Sequence, residues 1–364
     1  MVLSVDALFN INYLPTKLLH RDQELARLSN LIPSDSLTQP INVLVHGSFG
    51  IGRTTLLRFF GQHELGQYCR PFIRFQGNNS TEIVSDALHS LIPFHSSTDS
   101  FQEQWALIKR VIRKSEQPIV FVFDDVDTQT SEIYKKFLSV CKGNNVSSMA
   151  TAPRYYPRKL DMQTAQFLDV AIELEPFTNQ QFLDIVKQRV GEVFTQRIPI
   201  QITEFIADLI CILDFQRPAT IVELLQHLHG LITNPSQISA DLIRQSCINS
   251  RTLHYDFWSG HLSSLTELDA TVVLLLQAVG QYFITNPGHI YVRKSGLLAQ
   301  FEQVSEEINF PSSSRQFARA LNMLLFQDLL QQSRYSTENY FTLLPAEGYL
   351  EMVELLLGEY DLEP

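Results

Sequence analysis

Apolar residues along this 364-residue chain fall into two regimes. In the first half, short continuous apolar runs alternate with stretches of helical period. Ile41–His46, Phe72–Phe75, Ile119–Phe123, Val146–Thr151 and Val170–Leu174 read as strands. The unbroken β-branched and aromatic run Ile119-Val-Phe-Val-Phe123 has the pattern of a strand buried on both faces. Between the strands, helices are expected from Asp22 onward (Leu25, Leu28 and Leu31 inward), over Thr54–Phe60, Ile83–Leu91, Trp105–Ile112 and Ile133–Val140. Ala152–Leu160, with its two prolines, reads as a loop. This alternation implies a parallel sheet layered with helices over residues 1–176. From Phe177 the pattern turns all-helical: a helix capped by Thr178 and running to Val190, then Ile202–Leu213, Pro218–Leu231, and a helix from Ile238-Ser-Ala-Asp241 to near Ser250. A third unit starts at about Trp258. It holds helices over Thr266–Tyr282 (Leu268, Val272, Leu275, Leu276 and Val279 inward), Val292–Glu307 and Arg315–Leu330, a hairpin of Gln331–Tyr335 with Tyr340–Leu344, and a closing helix Glu347–Gly358. Three helices followed by a β-ribbon is the layout of a winged helix.

Candidate chemistry sits where the first strand meets its helix. Val43-Leu-Val-His46 runs into Gly47-Ser48-Phe49-Gly50-Ile51-Gly52-Arg53-Thr54-Thr55. This matches the phosphate loop G-x-x-x-x-G-K-[ST] at each fixed position except the lysine, which is Arg53. Glycines let such a loop curl so that backbone N–H groups point inward, and the following helix adds its positive end. Arginine keeps the charge as a planar fork rather than a compact ammonium. Thr54 would offer its hydroxyl to Mg2+. The strand Ile119–Phe123 ends in Asp124-Asp125-Val126-Asp127, where ligands bind in an open α/β sheet. Beside a phosphate loop, Asp124 would hold Mg2+ through its shell, and Asp125 would take the place of a water-activating base, one methylene shorter than a glutamate. Without a nucleotide the same residues are an acidic turn at a strand end.

Composition narrows the partners. The net charge of −11 excludes a generally basic nucleic-acid binder, so any nucleic-acid contact must come from a local patch. Cys69, Cys141, Cys211 and Cys247 lack metal-ligand spacing and read as small buried hydrophobes in a reducing compartment. The start, Met-Val-Leu-Ser-Val-Asp6, lacks a signal-peptide pattern, and no apolar run is long enough to span a bilayer. The expectation is a soluble intracellular protein without a membrane partner.

With its parts placed, the chain resembles the AAA+ replication initiators of the origin recognition complex and cell-division-control family. The similarity carries an α/β P-loop AAA+ core over residues 1–176, a helical lid over 177–256 and a winged-helix domain over 257–364. Tyr13-x-Pro15 with His20-Arg21-x-x-Glu24 resembles the segment that precedes the phosphate loop and borders the adenine. Gly47–Thr54 resembles Walker A, and Asp124-Asp125-Val-Asp127 resembles Walker B. Asp214-Phe-Gln-Arg217-Pro-Ala219 resembles the start of the sensor-2 helix. Leu265-Thr-Glu-Leu-Asp269 and Phe317-Ala-Arg-Ala-Leu-Asn-Met-Leu324 look most like the fourth subunit of the complex. The resemblance implies ATP and Mg2+ as cofactors, other AAA+ initiator subunits, double-stranded DNA and the helicase-loading machinery as partners, and a nuclear location. Thr151 is the sensor-1 candidate, with Asn144 and Asn145 as alternatives. The departures are Arg53 for lysine, Asp125 for glutamate, Ala219 at the sensor-2 register with Arg217 two residues early, and Met162-Gln-Thr-Ala-Gln166-Phe167 where an arginine finger would stand. Together they imply nucleotide binding with weak or absent hydrolysis.

For DNA, Arg315, Arg319 and Asn322 share one face of the third winged-domain helix, with Phe317, Leu321 and Leu324 opposite. Arg293 and Lys294 start the preceding helix, and Arg334 with Tyr335 falls in the wing. From Trp258 onward, 13 acidic residues outnumber 5 basic ones. All five basic residues lie on the candidate DNA-facing elements, which equally fits a solvated charged face on a protein-binding winged helix. Three functions remain open: a subunit of a DNA-encircling initiator with a degenerate ATP site, an active initiator ATPase that binds DNA alone, and a non-replicative P-loop regulator.

Overall fold

The computed structural model describes residues 13–33, 39–66, 68, 71–75, 77–92, 100–115, 118–144, 146–194, 198–213, 216–231, 238–249 and 269–360. It folds into two compact units that part between Phe177 and Thr178. Cys69, Asp214, Asn145 and the stretch from Ser250 to Leu268, with the expected boundary at 256/257 and the anchor Leu268, lie outside the described residues.

The first unit is a five-stranded parallel sheet in the order β2-β3-β4-β1-β5. Its strands are β1 (Asn42–Gly47), β2 (Phe72–Arg74), β3 (Val120–Asp124), β4 (Ser147–Pro153) and β5 (Val170–Leu174). Its helices are α1 (Asp22–Leu31), α2 (Arg53–His63), α3 (Ser80–Leu91), α4 (Phe101–Lys114), α5 (Ser131–Gly143) and α6 (Met162–Phe167). Asn79 and Ser100 each close a capping box at the starts of α3 and α4. On one sheet face Leu44, Ile73, Phe75, Phe121, Phe123 and Ala150 bury α3, α4 and α5 through Ile83, Leu88, Ile108 and Phe137. Phe75, Phe123 and Tyr134 meet edge to face at 5.4–6.1 Å between centroids. Each such buried ring contributes roughly 1.5–3 kcal/mol by leaving water. Leu56, Leu57 and Phe60 of α2 are likewise buried.

The all-parallel order puts every strand's C-terminal end at one edge. The ends of β1, β3 and β4 are neighbours there, which brings Gly47, Asp124 and Thr151 together although they are far apart in sequence. The segment expected as a loop after β4 is shorter than expected. β4 runs on to Pro153, Tyr156–Lys159 forms a 3-10 turn, and α6 follows, capped by Asp161. Six residues are too few for a helical period to register in the sequence.

The second unit begins with α7 (Asn179–Val193), α8 (Ile200–Leu213), α9 (Pro218–Leu231) and α10 (Ala240–Asn249). Then come α11 (Ala270–Thr285), β6 (Val292–Arg293), α12 (Lys294–Glu307), α13 (Ser314–Phe326), β7 (Gln331–Gln332), β8 (Asn339–Phe341) and α14 (Ala346–Tyr360). The last part has the winged-helix layout: three helices around Leu275, Leu276, Phe301, Phe317 and Leu324, and an antiparallel sheet in the order β6-β8-β7. Three boundaries differ from expectation. Asp269 caps α11, so that helix starts at Ala270 rather than Thr266. Val292 and Arg293 pair with Tyr340 and Asn339 as a strand, so α12 starts only at Lys294. α13 stops at Phe326 because Asp328 turns left-handed at φ 57°, folding Leu329 and Leu330 back onto the carbonyl of Leu324. The hairpin strands are short, with Gln331 opposite Phe341 and Gln332 opposite Tyr340.

The wing is fastened to the preceding helices by one buried carboxylate. Asp208 on α8 is fully buried and accepts from the Tyr291 hydroxyl at 2.9 Å and the Arg334 backbone N–H at 2.8 Å. Arg244 on α10 donates to the carbonyl (2.9 Å) and hydroxyl (3.0 Å) of Thr342. Tyr335 donates to the carbonyl of Asn179 at 3.3 Å. Asp208→Ala leaves a hydroxyl and an amide without their acceptor, so the unit loses about 1–3 kcal/mol in urea unfolding. Hydrogen exchange at residues 333–335 rises with it, while amides of the first unit are unchanged. Equal exchange in wild type and variant would remove Asp208 from this role.

Candidate nucleotide site

Gly47 ends β1 where only a hydrogen fits. A Cβ there would stand 3.1 Å from the Leu174 carbonyl and 3.3 Å from Ile51 Cγ2. Gly52, at φ 94°, turns the chain left-handed into α2, a conformation that disfavours any side chain. As the N-cap of α2 it supplies no side-chain acceptor, unlike Asn79, Ser100, Asp161 and Thr178 at other helices. The N-terminal amides of α2 therefore face the loop without a side-chain cap, as an anion site requires. Ile51 is buried, whereas Phe49 is 62% exposed and Ser48 is exposed at the loop tip.

Two linked clusters sit at the strand ends. Asp124, 5% exposed, accepts on one oxygen, Oδ1, from the Thr54 hydroxyl at 2.7 Å and the Thr151 hydroxyl at 2.8 Å. Thr151 Oγ1 in turn accepts from the Asp125 backbone N–H at 2.7 Å. Arg53, 6% exposed, reaches Asp125 Oδ1 with Nη2 at 3.0 Å. Its other terminal nitrogen, Nη1, is buried with no hydrogen-bond partner. Asp125 sits at φ 55°, where Asp and Asn are better tolerated than a longer side chain. That turn swings its carboxylate toward α2. Burial lowers Arg53 from its ordinary pKa against the pull of Asp125 and Asp124. Burial also raises Asp125, reinforced by Asp124 and opposed by Arg53. Each charge is costly there without the other.

The remaining expected residues divide. Arg21, 5% exposed, is tied to the loop: Nη2 donates to the carbonyls of Glu175 (3.1 Å) and Ile51 (3.4 Å), Nη1 pairs with Glu24 at 3.1 Å, and the guanidinium lies 4.0 Å from the Phe177 ring centroid. Pro15 is buried, and Tyr13 and Thr55 are half-buried. Asn144 spends its amide on the Val140 carbonyl at the end of α5, so of the described sensor-1 candidates only Thr151 is in the cluster. Arg217 belongs to the second unit, where its carbonyl accepts from the Thr220 N–H at 3.1 Å. No arginine lies on α6, and Arg154 pairs with Glu173 at 2.7 Å. Cys141 and Cys211 are buried free thiols. Arg315, Arg319 and Asn322 are exposed along α13, as are Arg293, Lys294 and Arg334. Sequence reasoning missed Phe326, 85% exposed at the end of the α13 face, because it assigned that position to a helix interior.

It also missed His46. Its Nδ1 is buried without a partner, and desolvation, with smaller contributions from Arg154 and Arg53, lowers its pKa below 6.5 against the pull of Glu173. The unfolded chain gains a proton near pH 6.5 while the folded one resists, so the stabilising difference is full above that pH and is lost as pH falls toward the depressed value. His46→Asn removes this titration. In a Trp258→Phe background followed by Trp105 emission, its urea midpoint falls less than that of the chain with His46 between pH about 7.5 and about 5.5. Parallel losses would rule His46 out as the source.

The residues fit a nucleoside triphosphate: a left-handed glycine turn, uncapped helix amides, and a buried guanidinium nitrogen in want of an acceptor. Thr54 and Asp124 offer the hard oxygen donors Mg2+ takes. Among the described residues no three His, Cys, Asp or Glu cluster as a metal site, and no helix is long and apolar enough to cross a membrane.

No family model matches the sequence. No curated protein matches it either. Solved structures do. The crystal structure of Cdc6p from Pyrobaculum aerophilum is similar at TM-score 0.83 and 19% identity, over 99% of this chain and 100% of that one. The Aeropyrum pernix ORC2 protein, solved as ADPNP and ADP complexes, gives 0.58 and 16%, with 99% of each chain covered. The Aeropyrum pernix ORC1 protein, solved in complex with DNA, gives 0.57 and 14%, over 98% and 97%. At these identities the likeness is one of fold: a parallel α/β core carrying the phosphate-loop turn, followed by a helical segment and one with the winged-helix layout.

Proposed function

We propose that this chain is a subunit of a DNA replication initiator of the origin-recognition type, holding ATP as a structural ligand rather than hydrolysing it. The observation that carries this reading is the Arg53–Asp125 ion pair. One arm of the guanidinium holds the carboxylate that would activate water, and the other is left for a phosphate oxygen. A general base must reach its water and accept a proton; a carboxylate held by a buried arginine is poorly placed for both. Mg2+, held by Thr54 and Asp124, would screen the phosphate charge. Around this site Thr151 reads polarity at the end of β4, and Arg21 fixes the loop. The chain would assemble with other AAA+ subunits, contact duplex DNA through the exposed face Arg315–Arg319–Asn322, and serve helicase loading. The fourth-subunit type, supported by the sequence of the winged-helix segment, and a nuclear location, which follows from the family resemblance, are the finer parts of the proposal.

Binding of a fluorescent ATP analogue to the full chain tests the site. Arg53→Ala weakens binding by about 10- to 100-fold, the worth of a charged hydrogen bond. Asp125→Asn frees the guanidinium and tightens binding on the order of fivefold, without raising hydrolysis. Tightening absent from Asp125→Asn, or hydrolysis lost on that substitution, would return Asp125 to a catalytic role. For DNA, Arg315→Ala with Arg319→Ala lowers the affinity of the assembled complex and reduces its salt slope by about one per contact. An unchanged slope would move this face to a protein partner.

A further inference from the structure

The first unit carries a basic surface that neither the nucleotide nor the winged-helix reading uses. α4 and α5 together hold seven Lys or Arg against two Glu, in a chain of net charge −11. With α6 they enclose an open cleft of ≈ 530 Å³ lined by Trp105, Lys109, Glu132, Lys135, Lys136 and Phe167, among others. Its floor is aromatic and braced from below. Trp105 meets Phe137 edge-on at 4.8 Å and lies parallel to Phe101. Two of the lysines set their ammonium groups over aromatic faces beside this floor. Lys109 Nζ is 5.8 Å from the Trp105 centroid, and Lys136 Nζ is 5.1 Å from that of Phe101. Lys135 reaches Asp161 at 3.6 Å. The cleft shares no residue with the phosphate loop.

We propose that this cleft docks a short acidic segment of a partner protein, one that places two or three carboxylates around an apolar or aromatic residue. Ammonium groups at the rim match carboxylates, and the half-buried indole and Phe167 match an apolar anchor of one or two side chains. An aromatic centre inside a charged rim is the composition of a protein-recognition site. Three features disfavour nucleic acid. The cations lining the cleft are lysines, without the fork that grips phosphate in two places. Glu132 stands in the rim. The field of a −11 chain opposes a long polyanion more than a short peptide that meets only the local potential.

The test uses the full chain with Trp258→Phe, leaving Trp105 as the remaining tryptophan of two. The probes are a fluorescein-labelled acetylated and amidated peptide GSGEDLFEGSSG, its Gln/Asn counterpart GSGQNLFQGSSG, and a labelled oligothymidylate of equal length. The acidic peptide binds saturably with a change in Trp105 emission and weakens about tenfold between about 50 and about 300 mM salt. Lys109→Ala with Lys136→Ala weakens it about tenfold, and Lys109→Arg with Lys136→Arg keeps it within about threefold. Exposed Lys136→Glu alone gives a loss in the same direction if the double variant folds poorly. No saturable binding, equal binding of the neutral peptide, indifference to the lysine variants, or tighter binding of the oligothymidylate at this cleft would each overturn the proposal.

Discussion

The nucleotide site depends on how one buried cation is satisfied. Arg53 stands where the loop enters its helix, 6% exposed, and its charge is matched only in part by Asp125. A buried ion pair adds little net stability, but removing one partner costs about 3–5 kcal/mol because a charge is left stranded. The pair therefore constrains everything around it. It fixes the left-handed turn at Asp125, and that turn hands its N–H to Thr151, which leaves Thr151 to pair with Asp124. Loop, strand ends and helix start are cross-linked by polar contacts, and one guanidinium nitrogen, Nη1, is left without an acceptor.

The second unit repeats the device with a different residue. Asp208, fully buried, ties α8 to the strand region and the wing. Phe205 packs beside it, edge-on to Tyr291 and Phe341 at 6.1 and 5.6 Å. The turn at 333–335 is thereby held against the helices that precede the winged segment, and the long exposed face of α13 is what remains for a large partner. Among the described residues, three separate places set positive charge where a partner could meet it: Arg53 at the phosphate loop, Arg315 and Arg319 on the α13 face, and the lysines of the α4–α5 cleft. Each is small enough to be specific for the shape presented to it.

Much of this was legible in the sequence, and the limits have physical causes. The five strands and the phosphate loop could be read because a doubly buried strand and a glycine turn each leave a local signature. Asp124 could be placed because strand ends gather at one edge of a parallel sheet. The pairing of Arg53 with Asp125 could not. It joins residues 72 apart and hinges on a backbone angle at Asp125 that no periodicity encodes. The bonds of Arg21 to Ile51 and Glu175, beside its local pair with Glu24, could not be read either, because the first two join segments 30 and 154 residues away. The end of α13 was set too late because Leu329 and Leu330 continue an apolar pattern that the chain satisfies by folding back. The basic cleft was invisible because α4 and α5 each look like an ordinary amphipathic helix until they pack side by side.

A loop that holds ATP without turning it over keeps the triphosphate intact through a separation. The full chain is incubated with Mg2+ and γ-phosphate-labelled ATP, free nucleotide is removed by gel filtration, and what stays bound is identified. Intact ATP is expected, retained at no more than one per chain, with phosphate release at the background of buffer. Repeated release of phosphate, abolished by Asp124→Ala, would overturn the proposed role.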